Sequence, residues 1–236
     1  MMKRNALLLL PVLMLLACET GTEPEGVLFS DDFSGHSDGS FPDGWTQFDL
    51  LLHSDSPRGL WYVQDGELVE ANDTWGGYDD PEMYYQEGTV LLAGDEGWTD
   101  YRLTVDVTPA VSGGLAVYCR TKIDTNQRLE YYRAFVTDDT EYGGPFWRLD
   151  HRAGGEYTVL DRTDDIQNAG YIPGVTFRVI IEVTGNLVRV YAGDRDNLML
   201  EWDGGDGYSF CQTGCIALMA FRNPGIAFDD VLVEEL

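Results

Sequence analysis

The feature that most constrains the fold is a two-residue alternation of apolar and polar side chains, repeated in short segments along the chain. Residues 101–107 show it fully, with an apolar side chain at every odd position and a polar one at every even position. Successive side chains of a strand point to opposite faces of a sheet, so the pattern predicts half-buried strands. Segments of this kind predict further strands at residues 115–119, 130–136, 146–152, 157–162, 177–183, 187–192, 216–221 and 227–234.

Turn-forming sequences separate these segments. Asp65-Gly66 is typical of a two-residue hairpin turn, because both central positions of that turn need positive φ. The other turn signals are Gly113-Gly114, Gly143-Gly144-Pro145, Gly154-Gly155, Gly185-Asn186 and Asn223-Pro224-Gly225. No amphipathic window is long enough to indicate a helix. The sequence therefore predicts one all-β domain over residues 27–236, folded as an antiparallel two-sheet β-sandwich.

The start of the chain carries the signals of export. Lys3 and Arg4 precede an apolar run at residues 6–17, which is too short to span a bilayer as a helix. This arrangement predicts a signal peptide at residues 1–17. The protein is therefore expected outside the cytoplasm.

The apolar run ends in Leu15-Leu16-Ala17-Cys18, which resembles a bacterial lipobox. In lipoproteins of that kind the cysteine is lipidated and becomes the mature N-terminus, so the resemblance implies a lipid anchor on Cys18. The polar residues 18–26 then form a tether, and Glu19 favours the outer membrane as the destination. The alternative is an ordinary secretory signal with an incidental cysteine.

Charge narrows the range of partners. The chain has 41 Asp and Glu against 15 Lys and Arg, a formal charge of −26. Such a surface repels nucleic acid and anionic membranes, so neither is expected as a ligand. Membrane contact is expected only through the lipid anchor.

Three cysteines follow Cys18, and export makes a disulfide among them possible. Cys211 and Cys215 flank Gln-Thr-Gly, whose glycine suits the tight turn that a small ring needs, so this pair is the favoured disulfide. Cys119 lies in an alternating segment and is expected to behave as a buried apolar residue.

Several motifs, taken in their order along the chain, resemble the concanavalin A-like lectin/glucanase superfamily, in its laminin-G-like and carbohydrate-binding-module branches. The resemblance covers residues 27–236 and implies a jelly-roll sandwich in which the first and last strands lie side by side. It does not fix an activity, because this fold carries lectins, carbohydrate-binding modules, glycosidases, lyases and structural domains. The segments that carry it are 29–34 (Phe-Ser-Asp-Asp-Phe-Ser), Trp45, 61–68, 97–101, 113–117 and 226–233.

The resemblance suggests a calcium site. Asp31 and Asp32 lie near the first strand, and Asp229 and Asp230 lie in the last, so adjacent end strands would bring the four acids close. Converging oxygen ligands outside the cell favour Ca²⁺. The alternative is that one aspartate of each pair caps a turn while the other faces water.

A candidate ligand-binding face is indicated by arginines and tyrosines in three consecutive predicted strands. If Leu115, Val117 and Cys119 face the core, Tyr118 and Arg120 face outward. Arginines and tyrosines of the next two predicted strands would then lie on the same face of the sheet. Aromatic rings stack on sugars, and arginine makes forked bonds to hydroxyls or carboxylates. The alternative is a solvated face on which the arginines pair with carboxylates. The predicted ligand-binding residues are Tyr118, Arg120, Tyr131, Arg133, Arg148 and Asp150, with Trp75, Tyr78, Tyr84 and Tyr85 as a rim or an edge cover.

A catalytic motif of this fold is missing. Glycosidases that share it carry Glu-x-Asp-x-x-Glu on one strand; the nearest string here is 201–206 (Glu-Trp-Asp-Gly-Gly-Asp), whose glycines favour a loop. The sequence therefore predicts a non-catalytic glycan-binding module. The alternatives are a glycoside-acting hydrolase of the same fold and a structural or protein-interaction sandwich without a sugar site.

Overall fold

A computed structural model describes residues 26–49, 52–76, 88–140, 143–154, 156–163 and 170–236. The predicted signal peptide, Cys18, the tether up to residue 25, and Tyr78, Tyr84 and Tyr85 lie outside these ranges. Nothing within them forms a helix with the length and apolar character needed to cross a membrane.

The described residues form strands joined by turns and loops. In chain order the strands are β1 (Val27–Asp31), β2 (Trp45–Phe48), β3 (Trp61–Gln64), β4 (Glu67–Glu70), β5 (Thr89–Ala93), β6 (Tyr101–Thr108), β7 (Gly114–Ile123), β8 (Leu129–Thr137), β9 (Phe146–Ala153), β10 (Glu156–Arg162), β11 (Phe177–Thr184), β12 (Leu187–Ala192), β13 (Leu198–Asp203), β14 (Cys215–Phe221) and β15 (Ile226–Glu235).

These strands pair into two antiparallel sheets. The eight-stranded sheet has the order β13-β12-β11-β6-β15-β4-β3, with β1 paired to β15, and the seven-stranded sheet has the order β10-β9-β8-β7-β14-β5-β2. The predicted two-sheet sandwich and the pairing of its first and last strands are therefore confirmed.

The main core lies between the sheets, where the inward-facing side chains of both are buried, among them Leu103, Val105, Val117, Trp147 and Leu218. The predicted β3–β4 hairpin is also present: Asp65 and Gly66 have φ of 54° and 82°, the positive values that its turn requires.

A second apolar layer covers the other side of the seven-stranded sheet. We call this side, which is turned away from the eight-stranded sheet, the outer face. Val90, Ala116, Phe135, Ala217 and Met219 are all buried there. The prediction that residues 115–119 form a half-buried strand is therefore wrong: β7 is buried on both faces from Gly114 to Thr121.

Candidate functional site

A compact set of charged and aromatic side chains lies within the outer face. Arg133 on β8 stands directly opposite Asp150 on β9, and its Nε and Nη2 donate to Asp150 Oδ1 and Oδ2 at 2.8 and 3.1 Å. Arg148 Nε and the Tyr157 hydroxyl also donate to Asp150 Oδ2, at 2.8 and 2.9 Å. We call Arg133, Arg148, Asp150 and Tyr157 the arginine cluster.

Aromatic rings surround the two guanidinium groups of the cluster. The Arg133 Cζ lies 5.5 Å from the ring centroid of Tyr131 and 5.4 Å from that of Phe135. The Arg148 Cζ lies 5.1 Å from the Phe135 centroid. Ring faces attract cations, and the attraction grows when water is excluded, so these contacts offset part of the cost of burying charge.

The structure brings five of the six predicted ligand-binding residues together but buries them. Arg133, Asp150, Tyr118 and Tyr131 have no exposed surface, and Arg148 is 8% exposed. The expectation that these residues form an accessible ligand-binding face is therefore wrong. Arg133 and Arg148 pair with the Asp150 carboxylate, as in the alternative, but the face is not solvated. The physical reason is that the outer face carries a second apolar layer, so its polar groups are packed among buried rings.

Arg120, the sixth predicted residue, does not join the others. Its φ of 47° belongs to a β-bulge, where the register of β7 against β8 shifts between Cys119 and Lys122. The side chain is buried, and it donates to the carbonyl oxygens of Thr99 and Gly185 at 2.8 and 2.6 Å. A bulge breaks the two-residue alternation, so Arg120 has a structural role in binding loops at one end of the sandwich.

Two residues that sequence reasoning did not select reach the surface beside the cluster. Tyr157 is partly exposed, and Arg162 is exposed with its Cζ 4.0 Å from the ring centroid of Phe146. Regular alternation would put positions 157 and 162 on opposite faces of β10. A register shift between Val159 and Asp161 brings both to the outer face, and no signal in the alternation reveals it.

The acids predicted to bind calcium have other partners. Asp31 Oδ2 accepts from Trp45 Nε1 at 2.9 Å and lies 3.2 Å from His36 Nε2. Asp32 Oδ1 accepts from the Ser34 amide and hydroxyl, and these bonds lower the pKa of Asp32. Asp32 therefore caps a turn, as in the alternative, whereas Asp31 is largely buried and does not face water.

The other two predicted calcium ligands lie in the bulge of β15. Asp229 accepts from the backbone N–H of Asp230, and burial, with repulsion from Asp230, raises the pKa of Asp229. Asp230 has φ of 50° and lies 3.8 Å from Arg178 Nη2.

A polar pocket of about 450 Å³ lies between the two acidic segments, with Asp31, Asp32 and Asp230 in its wall together with Thr104 and Arg178. No three His, Cys, Asp or Glu side chains converge as a metal site in the part of the chain that is described. Calcium binding here stays a prediction.

The disulfide predicted between Cys211 and Cys215 is not formed; Cys119, Cys211 and Cys215 are free thiols. Cys211 packs against the core between the sheets, whereas Cys215 is buried in the outer-face layer. Their Sγ atoms contact different carbonyl oxygens, those of Arg152 and Thr121. The prediction failed because the turn places the two side chains on opposite faces of the seven-stranded sheet.

The string 201–206, the nearest match to a glycosidase motif, is not wholly a loop. Glu201 and Asp203 end strand β13, which corrects the expectation for that part. Glu201 accepts from Arg189 Nε at 2.6 Å, and Asp203 Oδ1 accepts from the backbone N–H of Gly205 at 2.8 Å. Both carboxylates therefore have structural partners.

Comparison with known proteins identifies the fold. No protein-family model matches the chain, and no curated protein matches its sequence. A protein of unknown function with a galectin-like fold, from Bacillus subtilis, has a TM-score of 0.61 at 15% identity, with 90% of this chain and 97% of that chain covered. The carbohydrate-binding module CBM66 from Bacillus subtilis has a TM-score of 0.58 at 15% identity, covering 81% and 96% of the two chains.

A third structure extends the comparison. Domain 4 of AbnA, an extracellular GH43 arabinanase from Geobacillus stearothermophilus, was solved in complex with arabinotriose. It has a TM-score of 0.52 at 10% identity, with 89% of this chain and 92% of that chain covered. The chain therefore adopts a galectin-like β-sandwich fold of two antiparallel sheets.

Proposed function

We propose that this protein is a non-catalytic glycan-binding module, exported and lipid-anchored through Cys18, that binds sugars on the outer face of its seven-stranded sheet. The observation that carries the proposal is the arginine cluster, with Tyr157 and Arg162 reaching the surface at its edge. Aromatic rings supply stacking surfaces for sugars, and guanidinium groups supply forked donors for their oxygens.

The fold likeness supports the same proposal without specifying the ligand. Two of the similar structures are a carbohydrate-binding module and a domain solved with arabinotriose. Lipid anchoring, the outer-membrane location and structural calcium rest on the sequence and belong to the same proposal.

A glycan array tests the proposal on the protein from residue 18 onward, with Cys18→Ser to prevent lipidation. We expect binding to a defined sugar class, and Tyr157→Ala to weaken it roughly tenfold through loss of the ring and its hydroxyl. Tyr62→Ala is the matched control, because Tyr62 is a partly exposed tyrosine on the other sheet. Arrays run in CaCl₂ and in EDTA show whether a divalent cation contributes.

Absence of binding on the array, from protein shown by circular dichroism to be folded, would contradict the proposal and favour a structural or protein-interaction domain. Equal losses of binding in Tyr157→Ala and Tyr62→Ala would place the sugar site elsewhere.

A further inference from the structure

Two arginines, the buried Arg148 and the exposed Arg162, lie side by side at the edge of the arginine cluster. Arg148 on β9 and Arg162 on β10 are cross-strand partners. Both guanidinium groups approach the ring of Phe146, with Cζ-to-centroid distances of 5.4 and 4.0 Å. Like charges directly opposite each other on neighbouring strands destabilise a sheet.

Arg148 also lacks a full set of partners. Its Nε binds Asp150, but its Nη2 is buried and has no hydrogen-bond partner within the described part of the chain. A buried donor without an acceptor is costly, and most such groups in native proteins are paired.

Asp150 has little capacity left to satisfy that nitrogen. Asp150 Oδ2 already accepts from Arg133, Arg148 and Tyr157, and Asp150 Oδ1 accepts from Arg133. An acceptor supplied from outside would therefore complement Arg148.

The charge of the surrounding segment indicates whether that acceptor is anionic. Residues 114–162 contain seven Lys and Arg and eight Asp and Glu. The remaining residues contain eight Lys and Arg and 33 Asp and Glu. The region around β7–β10 is thus almost neutral on a chain whose net charge is −26. An anionic ligand therefore meets less electrostatic repulsion here than the average over the rest of the chain.

We propose that the glycan bound at this face is acidic, and that its anionic group, a carboxylate or a sulfate, binds between Arg148 and Arg162. This inference rests on the proposed glycan-binding function and names the class of ligand. Both anions match the planar fork of arginine, and an anion between the two guanidinium groups would supply an acceptor to Arg148 and offset their repulsion.

The test compares sugars that differ in charge. The array carries oligogalacturonates beside their neutral methyl esters, and sulfated galactans beside their desulfated forms, and the pairs that bind are then measured by titration calorimetry. We expect the charged member of a pair to bind at least about tenfold more tightly than its neutral partner, the loss typical of a hydrogen bond to a charged group. The two pairs distinguish carboxylate from sulfate.

Arg162→Gln is the main variant, because its side chain is exposed; circular dichroism checks its folding, since Arg162 Nη2 donates to the Gly143 carbonyl oxygen at 3.1 Å. We expect it to remove most of the preference for the charged sugar, because it should lower affinity for the charged form much more than affinity for the neutral form. Arg189→Gln is the control with the same charge change, on a partly exposed arginine of the eight-stranded sheet. Arg148→Gln should act as Arg162→Gln does, provided that its circular dichroism remains native.

Equal affinity for charged and neutral sugars, or an Arg162→Gln variant that keeps the preference, would overturn the acidic-ligand inference while leaving glycan binding in place. Failure to bind any sugar on the array, from folded protein, would overturn both proposals.

Discussion

At the scale of single residues, Glu70 is the group whose ionisation is coupled most clearly to the fold. It ends β4 and is fully buried, and its Oε1 accepts the backbone N–H groups of Leu60 and Asn72 at 3.1 and 3.0 Å. Its Oε2 has no partner within the described residues. Burial, with a smaller contribution from Asp49, raises the pKa of Glu70 from 4.5 to about 7.

Because the pKa of this acid is higher in the folded protein than in the unfolded chain, the folded state binds more protons between these two values. The contribution of Glu70 to stability is therefore highest below about pH 4.5 and falls as pH rises to about 7. The full change is on the order of 3 kcal/mol in the free energy of unfolding.

We predict that Glu70→Gln reduces this loss of stability. The free energy of unfolding of the variant should therefore increase relative to that of the native protein as pH rises from 4.5 to 8. Urea unfolding at a series of pH values measures the difference. Glu67→Gln, on the same strand but partly exposed, is the control and should follow the native curve. Parallel curves for Glu70→Gln and the native protein would show that Glu70 does not titrate in this range.

At the scale of elements, the bulge in β7 depends on one tyrosine. The buried Tyr101 hydroxyl, from β6 of the other sheet, accepts the backbone N–H of Arg120 at 2.6 Å and lies 3.2 Å from the carbonyl oxygen of Gly214. A bulge removes a residue from the ladder, so its N–H needs another acceptor. Tyr101 therefore joins β7 to the start of β14 across the sandwich.

We predict that Tyr101→Phe lowers the free energy of unfolding by about 1–3 kcal/mol, because it leaves the buried N–H of Arg120 without its acceptor. Tyr62→Phe, which removes a partly exposed hydroxyl 3.4 Å from Gln64 Oε1, should change stability by less than about 0.5 kcal/mol. Urea denaturation of both variants gives the comparison; similar small losses would mean that the Arg120 N–H finds another partner.

Bulges also mark the limit of what the sequence reveals about the site. Alternation predicted the central strands closely, and it correctly grouped Tyr118 with Arg133 and Asp150. It failed at Arg120 and at positions 157 and 162. At each bulge one extra residue shifts the side chains that follow it in the strand to the opposite face of the sheet. A bulge is stabilised by distant partners such as Tyr101, so the local pattern does not contain it.

At the scale of the whole molecule, the sandwich was predictable because short alternating segments and glycine-rich turns leave few other architectures. The second buried layer could not be predicted. β5 and β14 are apolar on both faces, and this pattern does not distinguish a strand buried on both faces from a helix segment. The sequence of β5 accordingly predicts no half-buried strand, although motifs elsewhere in the chain indicate the fold.

Self-repulsion is a property of the molecule as a whole, because the chain carries a net charge of −26. Raising NaCl from about 0.01 to about 0.15 M shortens the screening length from about 30 to about 8 Å. We predict that the melting temperature rises over this range. Choline chloride should give the same rise, which separates screening from binding of sodium; a fall in melting temperature would mean that ion pairs such as Arg102–Glu182 outweigh the repulsion.

The pairing of β1 with β15 determines how the domain responds to mechanical load. Of the described strands, only β15 pairs with β1, and the ladder begins with Val27 opposite Glu234, just after the bond of 2.7 Å from the Glu235 N–H to the Gly26 carbonyl oxygen. We expect tension transmitted along the chain from the N-terminal side to reach this end first and to break the hydrogen bonds of the ladder one after another. A tethered module would therefore yield by peeling off β1, while the strands that carry the arginine cluster, in the other sheet, keep their pairing.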